Sequence, residues 1–260
     1  MQLGFLTDGR VEDVVFANEQ KFDCLELALF GDTPLFQDHD ALKQALAERG
    51  VCLAAVSLFG LNYFTEDAAE ADRLSGLLRR AIELAAALGS PVLVAGTGTP
   101  PGGTEAQQIS AAIERFLPVV AEAQSRSLKF AFYNCHWENV IDRPPAWELA
   151  LPQMPGVGIK FDPSHPTQAG RDWKVELLAA GSRLMHAHAK DVLKVGNEFV
   201  ADPNPGLGDI RWESFFGLLT HLNYQGAVCI EPHSAQYTGE RRYAYLELSR
   251  RYLRQFFPAG

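Results

Sequence analysis

The feature that most constrains this chain is a repeated alternation. Short apolar runs of strand length are each followed by a longer stretch of helical periodicity, and the pattern recurs eight times. The runs are Leu3 to Leu6, Cys24 to Leu29, Val51 to Ser57, Pro91 to Ala95, Leu128 to Tyr133, Val157 to Phe161, Met185 to Ala189 and Ala227 to Glu231. Between the third and fourth runs, Leu74, Leu77, Leu78, Ala81, Ala85 and Leu88 follow the i, i+3, i+4, i+7 rule, and Gly89 is placed to end the helix. Thr104 and Gln107 form a capping-box pattern at the head of the next helix, which Pro118 should kink. Arg211 to Leu222 and Arg241 to Phe257 supply the last two helices. Strands joined by helical crossovers pair in parallel, and eight such units with no long linker predict an α/β fold, a (β/α)8 TIM barrel forming a single domain over residues 1–260. A doubly wound sheet would show a glycine-rich phosphate loop after its first strand, which Thr7-Asp8-Gly9-Arg10 is not. The Gly96–Gly103 stretch lacks the Lys-Ser/Thr of a P-loop and reads as a mobile active-site loop.

Charge narrows the range of partners. A formal charge of -9 argues against a phosphate backbone, since nucleic-acid binders display a basic face. No run approaches bilayer-spanning length, and the chain opens on an apolar strand with no basic leader. The expectation is a cytoplasmic protein with a small polar ligand, no nucleic-acid or membrane partner, and compatibility with a homo-oligomer. Cys24, Cys52, Cys135 and Cys229 show no CxxC spacing and read as reduced core thiols, with Cys135 the candidate for reactivity.

In a parallel barrel, the chemistry sits where strands end. Gly158-Ile-Lys-Phe-Asp162-Pro-Ser-His165-Pro closes a strand with a carboxylate, because a residue before proline keeps extended geometry while the proline stops the ladder. Val228-Cys-Ile-Glu231-Pro232 repeats that grammar, and His186 and His188 lie two apart on one face of the strand between. Asp162, His188 and Glu231 thus qualify as ligands of one divalent ion. Two carboxylates and an imidazole suit Mn²⁺, Mg²⁺ or Co²⁺, with Zn²⁺ also compatible. His186 belongs one layer deeper, in packing or in support of a ligand. His165, on the loop, is placed to hydrogen-bond a substrate hydroxyl, and Glu26 ends the second strand without a settled task.

The set Asp162-Pro-Ser-His165, His188-Ala-Lys-Asp191, Pro205-Gly-Leu-Gly-Asp209-Ile-Arg-Trp212 and Ile230-Glu231-Pro232 resembles the xylose isomerase-like barrel superfamily, in its sugar phosphate isomerase/epimerase branch. The likeness runs over nearly the whole chain. It implies Asp162, His188 and Glu231 as metal ligands and His165 as a substrate contact. Where ketose 3-epimerases hold substrate with an arginine six residues after the metal histidine, this chain has Lys194, which keeps the charge and loses the bidentate geometry. The fifth strand departs from the family, which ends it with glutamate and asparagine; here it reads Phe130-Ala-Phe-Tyr133-Asn134-Cys-His136-Trp137-Glu138-Asn139. Tyr133 stands at the glutamate position. A fourth ligand could then be His136, which is preferred, Asn134, or water. A second family glutamate falls near Asn139, leaving Glu138 as the adjacent carboxylate, and Trp137 could stack on a sugar ring.

These residues together predict a metal-dependent enzyme that isomerises or epimerises a sugar or sugar derivative through an enediolate. Glu231 is the expected base, with Tyr133, His136 or Glu138 as a second acid; Lys194, Trp137, Glu138 and His165 would bind substrate. The rivals are a lyase or dehydratase on a keto-sugar or keto-inositol, a DNA-repair enzyme resembling endonuclease IV, which the acidity disfavours, and a non-catalytic sugar-binding barrel.

Overall fold

The computed structural model describes residues 1–257; the last three residues of the expected 1–260 domain lie outside the described residues. The chain runs β1 (Gln2–Thr7), α1 (Val11–Glu19), β2 (Cys24–Leu29), α2 (Asp40–Arg49), β3 (Cys52–Leu58), α3 (Ala68–Ala87), β4 (Val92–Ala95), α4 (Glu105–Ser125), β5 (Lys129–Tyr133), α5 (Pro144–Ala150), β6 (Val157–Phe161), α6 (Ser164–Gln168), α7 (Trp173–Ala180) and β7 (Leu184–Ala189). It continues through β8 (Leu193–Val195), β9 (Glu198–Ala201), α8 (Trp212–His221), β10 (Ala227–Ile230) and α9 (Arg242–Arg254). Eight strands close into a parallel barrel in the order β1-β10-β7-β6-β5-β4-β3-β2, while β8 and β9 form a separate antiparallel hairpin. None of the helices is long and apolar enough to cross a membrane, among the described residues.

Local chemistry sets the element ends. Asp67 caps α3 by accepting from Ala69 and Glu70 N–H, and the Thr104–Gln107 capping box forms at the head of α4 as the spacing predicts. Pro118 lies inside α4. Along β6 the period of two separates two environments: Val157, Ile159 and Phe161 join the apolar layer under the helices, so Gly158, Lys160 and Asp162 face the barrel interior. Phe116 of α4 meets Phe132 edge-to-face at 5.4 Å in that layer, and Phe130 packs beside both. Gly4 lets the closed end of the barrel draw in, since a Cβ there would lie 2.6 Å from Cys24 O and 3.0 Å from Cys229 Sγ.

Two polar devices fix the rim. Buried Asp13 of α1 receives Arg242 Nη1 at 2.6 Å and the Tyr243 hydroxyl at 2.8 Å, docking α9 against α1, and Arg242 Nη2 donates to Leu6 O of β1 at 2.6 Å. Beyond β7, Asp191 accepts from the N–H groups of Val192 (2.9 Å), Gly206 (3.0 Å) and Ile210 (2.9 Å) and from Trp212 Nε1 (2.9 Å), which folds the 202–212 loop onto the strand end. Gly96–Gly103 is tied at its first half: Gly98 N–H donates to Glu138 O, and Thr97 N–H and hydroxyl both donate to Asn139 Oδ1.

Candidate active site

At the open end of the barrel, β6, β7 and β10 bring three sequence-predicted residues together. Candidate ligand atoms of Asp162, His188 and Glu231 all lie within 4.8 Å of one another. Asp162 is held by its backbone, which exchanges two hydrogen bonds with the Asn134 amide: Asn134 Nδ2 donates to Asp162 O at 2.9 Å, and Asp162 N–H donates to Asn134 Oδ1 at 2.8 Å. Its Oδ1 accepts from Ser164 N–H at 2.8 Å, whereas Oδ2 is buried with no hydrogen-bond partner. His188 Nε2 lies 2.8 Å from Glu26 Oε2, and Nδ1 lies 2.7 Å from Glu231 Oε2.

Glu26 is the residue beneath this arrangement. It is fully buried and accepts from Ser57 Oγ and His186 Nε2 at 2.5 Å each, so His186 packs behind the site and supports it. Burial favours the neutral form of Glu26, but His186 and His188 overcome it and hold the carboxyl well below its ordinary range. Burial likewise opposes charge on His188, and Glu26 outweighs it to push the imidazole up. The carboxylate–imidazole contact orients the ring with Nε2 toward Glu26 and leaves Nδ1 toward Asp162 and Glu231.

Two lysines that the sequence analysis did not single out complete the floor. Lys190 Nζ is 3.3 Å from both Asp162 Oδ2 and Glu231 Oε1, and Lys160 Nζ is 3.8 Å from the same Asp162 oxygen. Burial works against the ammonium charge of Lys190, yet Asp162 and Glu231 raise it above its usual value. In return, Lys190 and His188 hold the Glu231 carboxyl well below the ordinary range despite its burial. His165 lies 3.4 Å from Asp162 Oδ2, and burial together with Lys190 keeps it neutral. His233, opposite, is paired at 3.2 Å with Asp202, which raises its pKa. Counting in steps of two along the inward faces, back from Asp162 and on from His188, reaches Lys160 and Lys190.

A cavity of about 100 Å³ opens over this floor, lined on its other side by Phe30, Phe59, Gly60, Tyr133, Cys135 and Trp137. Phe30 and Trp137 stand at its mouth, 71% and 62% exposed. Of the other residues predicted on and after the fifth strand, Tyr133 lines the cavity with its ring, while Asn134 and His136 lie off the wall. Tyr133 sends its hydroxyl to Trp137 O and Glu138 O at 3.3 and 3.4 Å, latching the loop beyond, and its buried phenol is pushed above its usual pKa. Asn134 has its amide engaged on Asp162, and His136 is exposed outside the metal-competent cluster. Glu138 adopts a left-handed φ of 48° with Oε2 buried and without a partner. Lys194 Nζ donates to Thr167 O of α6 at 2.7 Å, off the cavity wall.

The donor set fits a divalent ion. Three hard or borderline donors converge, one Asp162 oxygen is buried without a hydrogen bond, and the imidazole is oriented from behind by a carboxylate.

A family model for the xylose isomerase-like TIM barrel matches residues 14–256. Among solved structures, a D-psicose 3-epimerase with D-tagatose from Clostridium cellulolyticum H10 superposes with a TM-score of 0.76 at 17% identity, covering 97% of this chain and 99% of that one. The probable 3-DHS dehydratase AsbF of petrobactin synthesis from Bacillus anthracis gives 0.79 at 13% identity, covering 98% and 99%. The 3-keto-D-glucoside 4-epimerase YcjR from E. coli, in its apo form, gives 0.74 at 17%, again covering 98% and 99%. Identities this low carry the fold. No curated protein matches the chain in sequence.

Proposed function

Because the chain belongs to the xylose isomerase-like TIM barrel family, we propose that it is a divalent-metal-dependent isomerase or epimerase acting on a sugar or sugar derivative through an enediolate. The observation that carries this reading is the meeting of Asp162, His188 and Glu231 within 4.8 Å beside an aromatic-walled cavity. A divalent ion held by those three residues would supply Lewis-acid stabilisation of negative charge on adjacent sugar oxygens. Glu231, ionised under the pull of Lys190 and His188, takes the proton from the carbon beside the carbonyl. Neutral His165 hydrogen-bonds a substrate hydroxyl, while Phe59 and Trp137 offer faces for the apolar side of the ring. Asn134 holds the Asp162 backbone, and Lys194 acts at one remove by fixing the segment that carries His165.

Glu231 is the one carboxylate lining the cavity among the described residues. Inversion of a stereocentre needs proton donors on both faces of a planar intermediate, whereas aldose–ketose isomerisation can return the proton to the face that lost it. The site therefore suits a one-base isomerisation best. Elimination from a keto-sugar or keto-inositol would use the same base and is distinguished by released water. The four cysteines are free, in keeping with a cytoplasmic enzyme.

Protein loaded with excess Mn²⁺ and desalted should retain about one ion per chain, and Asp162→Ala or Glu231→Gln should lose it. Equal retention by all three proteins would sink the metal site. In D₂O the wild type should place deuterium on one face of the carbon, and Tyr133→Phe should leave that exchange intact; two-sided exchange lost only in Tyr133→Phe would make the tyrosine a second acid.

A further inference from the structure

Resting on that reading, two buried cations still lack a partner once the carboxylates hold a metal. Lys160 has a side chain only 2% exposed, and its nearest carboxylate oxygen is Asp162 Oδ2, at 3.8 Å. Among the described residues its ammonium makes no hydrogen bond; it lies 5.8 Å from the centroid of the Phe59 ring and lines the cavity. Lys190, 3% exposed, faces that same oxygen and Glu231 Oε1 at 3.3 Å each. Both lysines thus lean on oxygens that a bound ion would claim. A buried ammonium stripped of its counter-charge is costly, by several kcal/mol, unless another anion meets it.

The charge count gives the size of that anion. With the ion bound, Glu26, Asp162 and Glu231 contribute three negative charges, while Lys160, Lys190 and the divalent ion contribute four positive ones. One positive charge is left over at the cavity floor. A monoanion matches it, whereas a phosphate, carrying about −1.5 to −2 at neutral pH, overshoots. The lysines also sit beside the metal-binding residues, so the group they receive is next to the reacting carbons and not at the far end of the substrate chain.

We propose that the substrate is a sugar acid, whose carboxylate, adjacent to the reacting hydroxyl or carbonyl carbon, is received by Lys160 and Lys190. In the absence of metal, Lys190 is already paired with Asp162 and Glu231, so metal and sugar acid should bind cooperatively: each makes room or demand for the other, and the coupling is reciprocal.

The test is Mn²⁺ affinity, followed by the free-ion EPR signal, with D-gluconate, its uncharged counterpart D-sorbitol, or D-glucose 6-phosphate present, each corrected for Mn²⁺ bound by the additive alone. D-Gluconate should tighten Mn²⁺ binding by about tenfold and D-sorbitol should leave it unchanged. Lys160→Met should bind Mn²⁺ alone at least as well as wild type but lose most of the enhancement, and Lys160→Arg should keep it. Equal effects of D-gluconate and D-sorbitol on the wild type would overturn the proposal without need of any variant, as would enhancement by the phosphate ester alone. A protein that binds no Mn²⁺ under any condition defeats the metal reading and the proposal that rests on it, because only a bound ion frees the lysines for a new anion; Mn²⁺ binding that is indifferent to D-gluconate overturns the proposal alone.

Discussion

Replacing Glu26 by glutamine preserves the side chain's size and removes its charge from beneath the site. Glu26 is fully buried and accepts from Ser57 Oγ, His186 Nε2 and His188 Nε2 at 2.5, 2.5 and 2.8 Å. Both imidazoles share Oε2 and Ser57 Oγ meets Oε1, so a glutamine can keep its carbonyl oxygen on the two rings and turn its NH2 to the serine oxygen; what it removes is the charge that the buried imidazoles face. Each hydrogen bond to a charged group contributes about 1.5–3 kcal/mol, and breaking a buried ionic contact costs about 3–5 kcal/mol. Glu26→Gln should therefore lower stability by about 3–5 kcal/mol, on the order of 10 °C in Tm for a chain of this size. The pH dependence carries the sign. Glu26 titrates lower folded than unfolded, so its contribution is present above about pH 4.5 and is lost as pH falls through the folded value. His188 titrates higher folded than unfolded, so its contribution is full below about pH 6.5 and fades as pH rises through its folded value. The wild-type advantage should be largest between about pH 5 and 6.5 and shrink on either side. Urea unfolding of the metal-free proteins, followed by circular dichroism near pH 5.5, 7 and 9, measures it. A difference under about 1 kcal/mol near pH 5.5, or one that grows toward pH 9, would refute the reasoning.

Arg242→Met leaves the Asp13 carboxylate buried with hydroxyl partners only and should cost about 3–5 kcal/mol in urea titrations; adding Asp13→Asn should recover part of that loss. Lys194→Ala cuts the tie to Thr167 O and should raise KM more than it lowers kcat, through displacement of His165; an unchanged KM would remove Lys194 from the site's support.

The barrel was legible because each of its strands is a run bounded by turn or helix chemistry, and most of the observed bounds fall within a residue or two of the apolar limits. The β8–β9 hairpin was not, since Lys194-Val-Gly-Asn-Glu198 has neither a sustained apolar run nor clear alternation, and its register shifts between Leu193 and Lys194. Asp162, His188 and Glu231 could be placed because a strand end followed by proline, or a period of two, fixes where a side chain points. Lys160 obeys the same arithmetic but sits inside an apolar run, where a lysine reads as an outward-facing exception. The roles of Asn134 and Tyr133 depend on non-local partners: one amide meets the backbone of the next strand, and one phenol meets a loop that turns back through Glu138 at positive φ. No local pattern encodes either meeting.

The Asp191 carboxylate, which gathers the N–H groups of Val192, Gly206 and Ile210 and the Trp212 indole, also sets how this rim opens. Three amides anchored on one acceptor cannot be released one at a time without leaving that buried carboxylate short of donors. Their amide protons should therefore exchange with solvent at a common rate, as one cooperative unit, and the loop should detach whole or not at all. Because that unit begins one residue after Lys190, any such opening loosens the end of the strand that carries His188.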